Sequence, residues 1–236
     1  MIPIVQQEGI PDILRVEFNG KKYHFYKSPQ AVQIISEIFS DNYKLFDKGI
    51  EFRDGDIIID AGANEGMFSI LMAKQFPKVK IFALEPVHRT FFQMIRNIGL
   101  NGVMNVFPEN IGLGAKESRC GVMNVHNELS GGSSLVDTFN PACHEQVKVQ
   151  LTSLGNFFKH HNFGENQRVR LLKIDIEGGE YDAFAGCEVL PFVDYVVGEF
   201  HINKRLEEKG CGIDQLAAWV AARTNLSYYE RCRMAD

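Results

Sequence analysis

The sequence predicts an α/β fold, a mostly parallel sheet flanked by helices, with an N-terminal β-hairpin and helix as a cap. Three observations predict it. Short runs such as "DIIIDAG", "VKIFALEP" and "DYVVGEFH" are apolar almost throughout, as strands buried on both faces are. Helical stretches separate these runs, which is the order that crossover connections of a parallel sheet require. Ahead of them, "ILRVEFNGKKYHFY" alternates on both sides of Asn19-Gly20, the strongest short signal of a two-residue hairpin turn.

The elements follow in order. After the hairpin, "SPQAVQIISEIF" gives a helix with Ser28 as N-cap and Pro29 in its first turn. "DIIIDAG" is the first core strand and leads into a helix from about Glu65. "VKIFALEP" is the second, with a helix from about Val87 that places Val87, Phe91, Met94, Ile95 and Ile98 on one face. "VMNVFPENIGL" supplies a third strand. "SRCGVMNVH" and "VKVQLTSL" read as extra strands around the loop "ELSGGSSLVDTFNPA". "VRLLKIDIEGG" and "DYVVGEFH" continue the parallel set. A helix over "IDQLAAWVAART" is followed by "LSYYERCRMAD", with room for about one strand. No internal repeat or low-complexity linker interrupts the chain. It is expected to be one domain over 1–236, with the cap at 1–47 and the core at 48–236.

Composition narrows the function classes. The 236 residues are 45% hydrophobic and 23% charged, ordinary for a soluble globular chain. A net charge of −5 gives no global reason to expect a nucleic-acid partner. No apolar run approaches the ~20 residues that span a bilayer, and the first residues lack the features of a signal peptide. The five cysteines are scattered and never spaced C-x-x-C, which argues against a disulfide framework or a structural zinc site. A cytoplasmic location is expected, with no membrane partner.

The candidate ligand site begins at Asp60, the end of the first core strand. In open parallel sheets ligands bind beyond such strand ends. Gly62 and Gly66 would let backbone approach a ligand, and the next helix begins there with its positive end. A tight strand-to-helix turn would need the same glycines for steric reasons alone. Glu85 ends the neighbouring strand, 25 residues later, where a carboxylate can accept from both hydroxyls of a ribose. The loop is not G-x-G-x-x-G, and Asp60 would repel a pyrophosphate. An acid in this place suits S-adenosyl-L-methionine, which carries an ammonium, a sulfonium and a ribose.

"DIIIDAGANEG", "ALEP", "RNIGLNG", "LLKIDIEGGEYDAFAG" and "VVGEFH", in this order over roughly residues 40 to 201, resemble the FkbM family of S-adenosylmethionine-dependent methyltransferases. The resemblance implies a Rossmann-like class I methyltransferase fold and methylation of a hydroxyl on a sugar or natural product. It implies that Asp60, Gly62, Ala63, Asn64 and Gly66 line the methionine end of the cofactor. Glu85, with Pro86 beside it, would hold the ribose, and Glu109 or Asn110 would lie near the adenine. The family's fold usually closes with two antiparallel strands, for which this chain lacks room.

A second acidic cluster lies in "KIDIEGGE", where Lys173, Asp175 and Glu177 alternate along a strand end and so share one face. Glu180 follows at a helix start, where an acid stabilises the helix. "GEFH" brings Glu199 and His201 alongside. A methyl sulfonium is already activated, so the protein must mainly align the acceptor oxygen and take its proton. The expected catalytic residues are His201, as a neutral imidazole base, with Asp175 and Glu177; Asp175 also faces the cofactor. Ser133 and Ser134, in a loop expected to act as a lid, and Glu199 are expected to face the acceptor. His160 and His161 read as a solvated loop. Asp175, Glu177, Glu199 and His201 could hold a hard cation, but no metal is expected. Competing readings are a nicotinamide-dependent oxidoreductase and a non-catalytic nucleotide-binding module. The acceptor is expected to be a small molecule or glycan, of identity the sequence does not encode.

Overall fold

A computed structural model describes residues 4–6, 12–40, 43–115, 119–126, 144–202, 207, 208, 210 and 212–233. Strands β1 (Ile4–Gln6), β2 (Ile13–Phe18) and β3 (Lys21–Tyr26) form an antiparallel sheet in the order β1-β2-β3. The β2–β3 turn has Asn19 at φ 47° and Gly20 at φ 71°, the left-handed pair that a tight hairpin matching strand twist requires. Helix α1 (Ala31–Phe39) follows. It starts later than expected. Its N-cap is Gln30, without a side-chain cap bond, and the Ser28 hydroxyl instead donates to Glu65 at 3.0 Å.

The central sheet contains β4 (Ile57–Ala61), β5 (Lys80–Leu84), β6 (Val106–Glu109), β10 (Val169–Ile174), β11 (Val193–Ile202) and β12 (Asn225–Arg233). Its order is β12-β11-β10-β4-β5-β6, with every pairing parallel. The chain runs outward from β4 to β6, then returns to β10 on the other side of β4. Strand order therefore reverses between β4 and β10, which opens a crevice at their carboxyl ends. The last strand corrects the antiparallel closure that the family pattern implied: β12 lies parallel to β11 at the sheet edge.

Helices cover both faces. On one, α2 (Met67–Gln75) is buried from Met67 through Ala73 because it lies between two layers. Met67, Ile70 and Leu71 meet Tyr23, Phe25 and Phe39 of the cap, while Phe68 and Met72 meet Ile58 and Ile81 of the sheet. This double burial explains why no polar stripe marks α2 in the sequence. Helix α3 (His88–Asn101) turns Met94 inward, with Phe91 and Ile98 packed beside it. Ile95, expected on that face, is exposed at 39%.

On the opposite face lie α4 (Leu154–His161), α5 (Glu180–Phe184) and α6 (Ile213–Ala221). Phe157, Phe158, Phe184 and Leu216 pack there against Ile59, Leu172 and Val196. Helix α4 ends on His160 and His161, where a solvated loop was expected; the Ser153 hydroxyl caps its start by accepting from the Asn156 amide at 3.2 Å. A smaller sheet, ordered β7-β9-β8, comprises β7 (Gly112–Leu113), β8 (Cys120–His126) and β9 (His144–Thr152). Its apolar side chains Met123, Val125, Val149 and Leu151 cluster with Val87 beside the crevice. No described helix is long and apolar enough to cross a membrane.

Candidate active site

A cavity of ≈ 280 Å³ occupies the crevice. Its floor is the loop after β4 (Gly62, Ala63, Asn64), with Glu85 and Pro86 after β5 and Asp175 and Glu177 after β10. Glu199 of β11 closes one side, and α1 supplies Gln33, Ile34 and Ile38 from above. Strand ends distant in sequence thus converge on one space.

Two conformational demands fix the loop after β4. Gly62 has φ 78°, and a Cβ there would sit 1.8 Å from the Asp175 carbonyl oxygen; Gly66 has φ 84°, and its Cβ would press the Met94 Cγ at 2.9 Å. The steric reading of these glycines is therefore the one the geometry supports. The amides do not reach for a ligand either. Gly62 and Ala63 N–H both donate to the Leu84 carbonyl, at 3.1 and 2.9 Å, and Gly66 N–H donates to Ala63. Gly66, as the N-cap of α2, lies behind the cavity wall.

Asp60 is fully buried and does not line the cavity. It accepts from the Ser69 hydroxyl at 2.7 Å and pairs with the Lys173 ammonium at 3.3 Å. Lys173 also donates to the Gly62 carbonyl at 2.8 Å and lies 3.7 Å from Asp175. Burial disfavours the Lys173 charge, but Asp60 and Asp175 outweigh it and hold its pKa above the ordinary value. Asp60, expected to touch the ligand, is therefore set apart from the cavity lining. It anchors the lysine that ties β10 to the loop carrying Gly62.

Glu85 lies at the cavity, with its carboxylate fixed by the Asn64 amide at 3.0 Å and the Val87 amide at 2.8 Å. Burial pushes its pKa up to about 7, against the lowering effect of those two amides and Lys173. A carboxylate has about four acceptor sites, so two N–H donors leave room for hydroxyl donors. Asn64 is held at φ 51°. Its side-chain oxygen is buried and makes no hydrogen bond with the described residues.

Glu109 and Asn110 do not line the cavity. Glu109 pairs with His161 at 2.9 Å, and Asn110 donates to the Glu85 and Pro86 carbonyls at 2.8 and 3.0 Å. Asn110 therefore shapes the Glu85 turn from behind. His161 is not in a solvated loop: it stacks on Phe163 at the end of α4. Ser133 and Ser134, with the loop expected as a lid, lie outside the described residues.

The second cluster differs from its expected geometry. Strand β10 ends at Ile174, so Asp175 and Glu177 sit in a turn, Glu177 at φ 53°. Both still face the cavity. The Tyr43 hydroxyl donates to Asp175 at 3.2 Å, and burial, reinforced by Asp175, keeps that phenol well above its ordinary pKa. Tyr43 was not anticipated; a tyrosine in the short segment after α1 carries no pattern that marks it. Burial pushes Glu177 up to about 8; His201 opposes this, and Asp175, Glu180 and Glu199 add to it.

His201 is the main correction. Its Nδ1 lies 3.1 Å from Glu180, and its Nε2 lies 3.4 Å from Glu177 and 3.8 Å from Glu199. Burial opposes its charge, but bonds to Cys232 and Glu180 and the nearby carboxylates push its pKa up to about 12. An imidazolium has no lone pair with which to take a proton, so a neutral base at His201 does not fit these surroundings. Its Glu180 partner is itself buried and accepts from the Ile176 amide at 3.0 Å and the Gly178 amide at 3.1 Å. Glu180 therefore organises the β10–α5 turn rather than only capping a helix.

The class defined by this fold and site is that of a Rossmann-like methyltransferase. Residues 60–224 match the model of the methyltransferase FkbM domain. The chain belongs to the FkbM methyltransferase family. It is 31% identical over 221 residues to Methyltransferase 1 of Beauveria bassiana, covering 81% of this chain and 86% of that protein. It is 26% identical to Methyltransferase sdnD of Sordaria araneosa, covering 73% and 75%. Against the 31-O-demethyl-FK506 methyltransferase FkbM of Streptomyces tacrolimicus, identity is 24% over 78% and 79% of the two chains.

Proposed function

We propose that the protein transfers the methyl group of S-adenosyl-L-methionine to a hydroxyl of a small-molecule or glycan acceptor. The observation that carries this reading is the polar pair at the cavity floor. Glu85 offers unused acceptor sites at the second strand end, and the buried Asn64 oxygen has no partner among the described residues. Glu85 would accept from the ribose hydroxyls, and the Asn64 oxygen would accept from the ammonium of the methionine moiety. The donor set fits this cofactor better than a dinucleotide. The loop amides nearest the cavity are already bonded to Leu84, leaving no cradle for a pyrophosphate.

When bound, the cofactor supplies an activated methyl group on sulfur. The chain supplies alignment and a proton acceptor. Asp175, at the cavity with Tyr43 fixing one oxygen, would accept the acceptor's hydroxyl proton as its oxygen attacks. The α1 side chains Gln33, Ile34 and Ile38 form the wall against which an acceptor would lie. Acceptor oxygen as the target is supported by the name of the Streptomyces relative, whose stated acceptor position is an oxygen. One domain over 1–236 and a cytoplasmic location complete the reading.

The test is a methyl-transfer screen with labelled cofactor over sugars, phenols, carboxylates and amines. Label appearing in a hydroxyl acceptor, and lost at least ~100-fold in Asp175→Asn with cofactor affinity kept, is the expected result. Transfer only to amines, or undiminished turnover in Asp175→Asn, would contradict the assignment.

A further inference from the structure

The acidic cluster contains a second arrangement that methyl transfer does not use. Strands β11 and β12 pair in parallel with His201 directly across from Cys232. Glu199 lies two residues before His201 and so on the same face of the sheet. The Cys232 sulfur donates to Glu199 Oε2 at 3.2 Å, and His201 Nε2 lies 3.8 Å from the same oxygen. A thiol, an imidazole nitrogen and a carboxylate oxygen therefore lie within 4.8 Å of one another. Metal–ligand bonds of 2.0–2.3 Å at tetrahedral angles put neighbouring donors about 3.3–3.6 Å apart. The sulfur–oxygen and nitrogen–oxygen spacings, 3.2 and 3.8 Å, differ from that by a few tenths of an ångström.

Two further features favour a metal. His201 Nδ1 is held by Glu180, whose carboxylate is itself anchored by backbone amides. This is the carboxylate–histidine arrangement that fixes a metal-binding ring and leaves Nε2 to face the ion. Cys232 also lines a shallow cleft with Ile202, Gly212 and Ile213, which gives an ion a way in from solvent.

We propose that Glu199, His201 and Cys232 form a binding site for one divalent transition-metal ion of the zinc class. The mixed sulfur, nitrogen and oxygen donors suit Zn²⁺ and Co²⁺ and disfavour Mg²⁺ and Ca²⁺, which prefer oxygen alone. Binding replaces two protons, one from the Cys232 thiol and one from His201 Nε2, and releases both to solvent. The ion would join β12 to β11 at a sheet edge. No C-x-x-C spacing announces this site, because parallel strand pairing, not local sequence, brings the donors together.

The experiment is a Co²⁺ titration of the purified, metal-stripped full chain, followed by absorbance, with Zn²⁺ added afterwards as competitor. One equivalent should bind and produce both the visible bands of a tetrahedral ion and a thiolate-to-cobalt charge-transfer band, all abolished by Zn²⁺. The charge-transfer band should vanish in Cys232→Ser and persist in Cys120→Ser. Affinity should fall at least tenfold in Glu199→Gln. Circular dichroism of each variant checks folding. Absence of the charge-transfer band in the wild-type chain, or its persistence in folded Cys232→Ser, would overturn the site. Neither readout depends on methyl transfer.

Discussion

Glu85 links a sequence pattern to a measurable acid–base property. Its folded pKa of about 7 stands above its ordinary 4.5 because burial outweighs the Asn64 and Val87 amides and Lys173, with Asp60 adding to the rise. An acid raised in this way costs the folded protein stability as pH rises from 4.5 to 7, since the unfolded chain ionises first. Ligand binding has the opposite sense, because ribose hydroxyls donate best to the charged carboxylate. Affinity for S-adenosylhomocysteine should therefore fall as pH drops below about 7, and calorimetry across pH should show that dependence flattened in Glu85→Gln. Glu85→Ala should weaken binding more than tenfold, about 1.4 kcal/mol; an unchanged Kd would remove Glu85 from the site. Lys173→Met should cost about 3–5 kcal/mol in urea unfolding, because it leaves Asp60 charged, buried and unpaired. Adding Asp60→Asn should recover part of that loss. Glu85 was legible because a strand end at a fixed interval after another strand end is a local pattern. The ion pair of Asp60 with Lys173 was not, since β4 and β10 are adjacent only through sheet order.

At the scale of elements, the alternating and all-apolar runs were readable as strands because burial on one or two faces dictates them directly. The start of α1 was misplaced by Ser28, whose hydroxyl found Glu65 across the fold instead of its own helix. Helix α4 was hidden for a similar reason. Its apolar side chains Leu154, Phe157 and Phe158 follow the strand β9 without a break in composition, and only Ser153 marks the boundary. The cap is bound to the core through Phe39, which is buried against Tyr23 and Phe25 and shares a cluster with Met67 and Ile70 of α2. Phe39→Ala should cost about 3–5 kcal/mol, measured by urea unfolding of the full chain. A loss under 1 kcal/mol would mean that this cap–core contact is weak. Gly62→Ala should fail to yield a native melt, because its Cβ would overlap the Asp175 carbonyl at 1.8 Å in a left-handed backbone conformation. A cooperative wild-type transition in that variant would contradict the described contact.

At the scale of the molecule, the sheet order β12-β11-β10-β4-β5-β6 brings Glu85, Asn64 and Asp175 to one crevice, and the cap roofs it. On the function proposed, this crevice holds S-adenosyl-L-methionine and not a dinucleotide. Ligand-induced stabilisation tests it most directly. At a hundredfold excess over Kd, a ligand that binds only the folded chain stabilises it by about 2.7 kcal/mol. S-adenosylhomocysteine should raise the melting temperature in proportion to the logarithm of its concentration, and NAD at the same concentrations should leave it unchanged. A shift with NAD and none with S-adenosylhomocysteine would contradict the account.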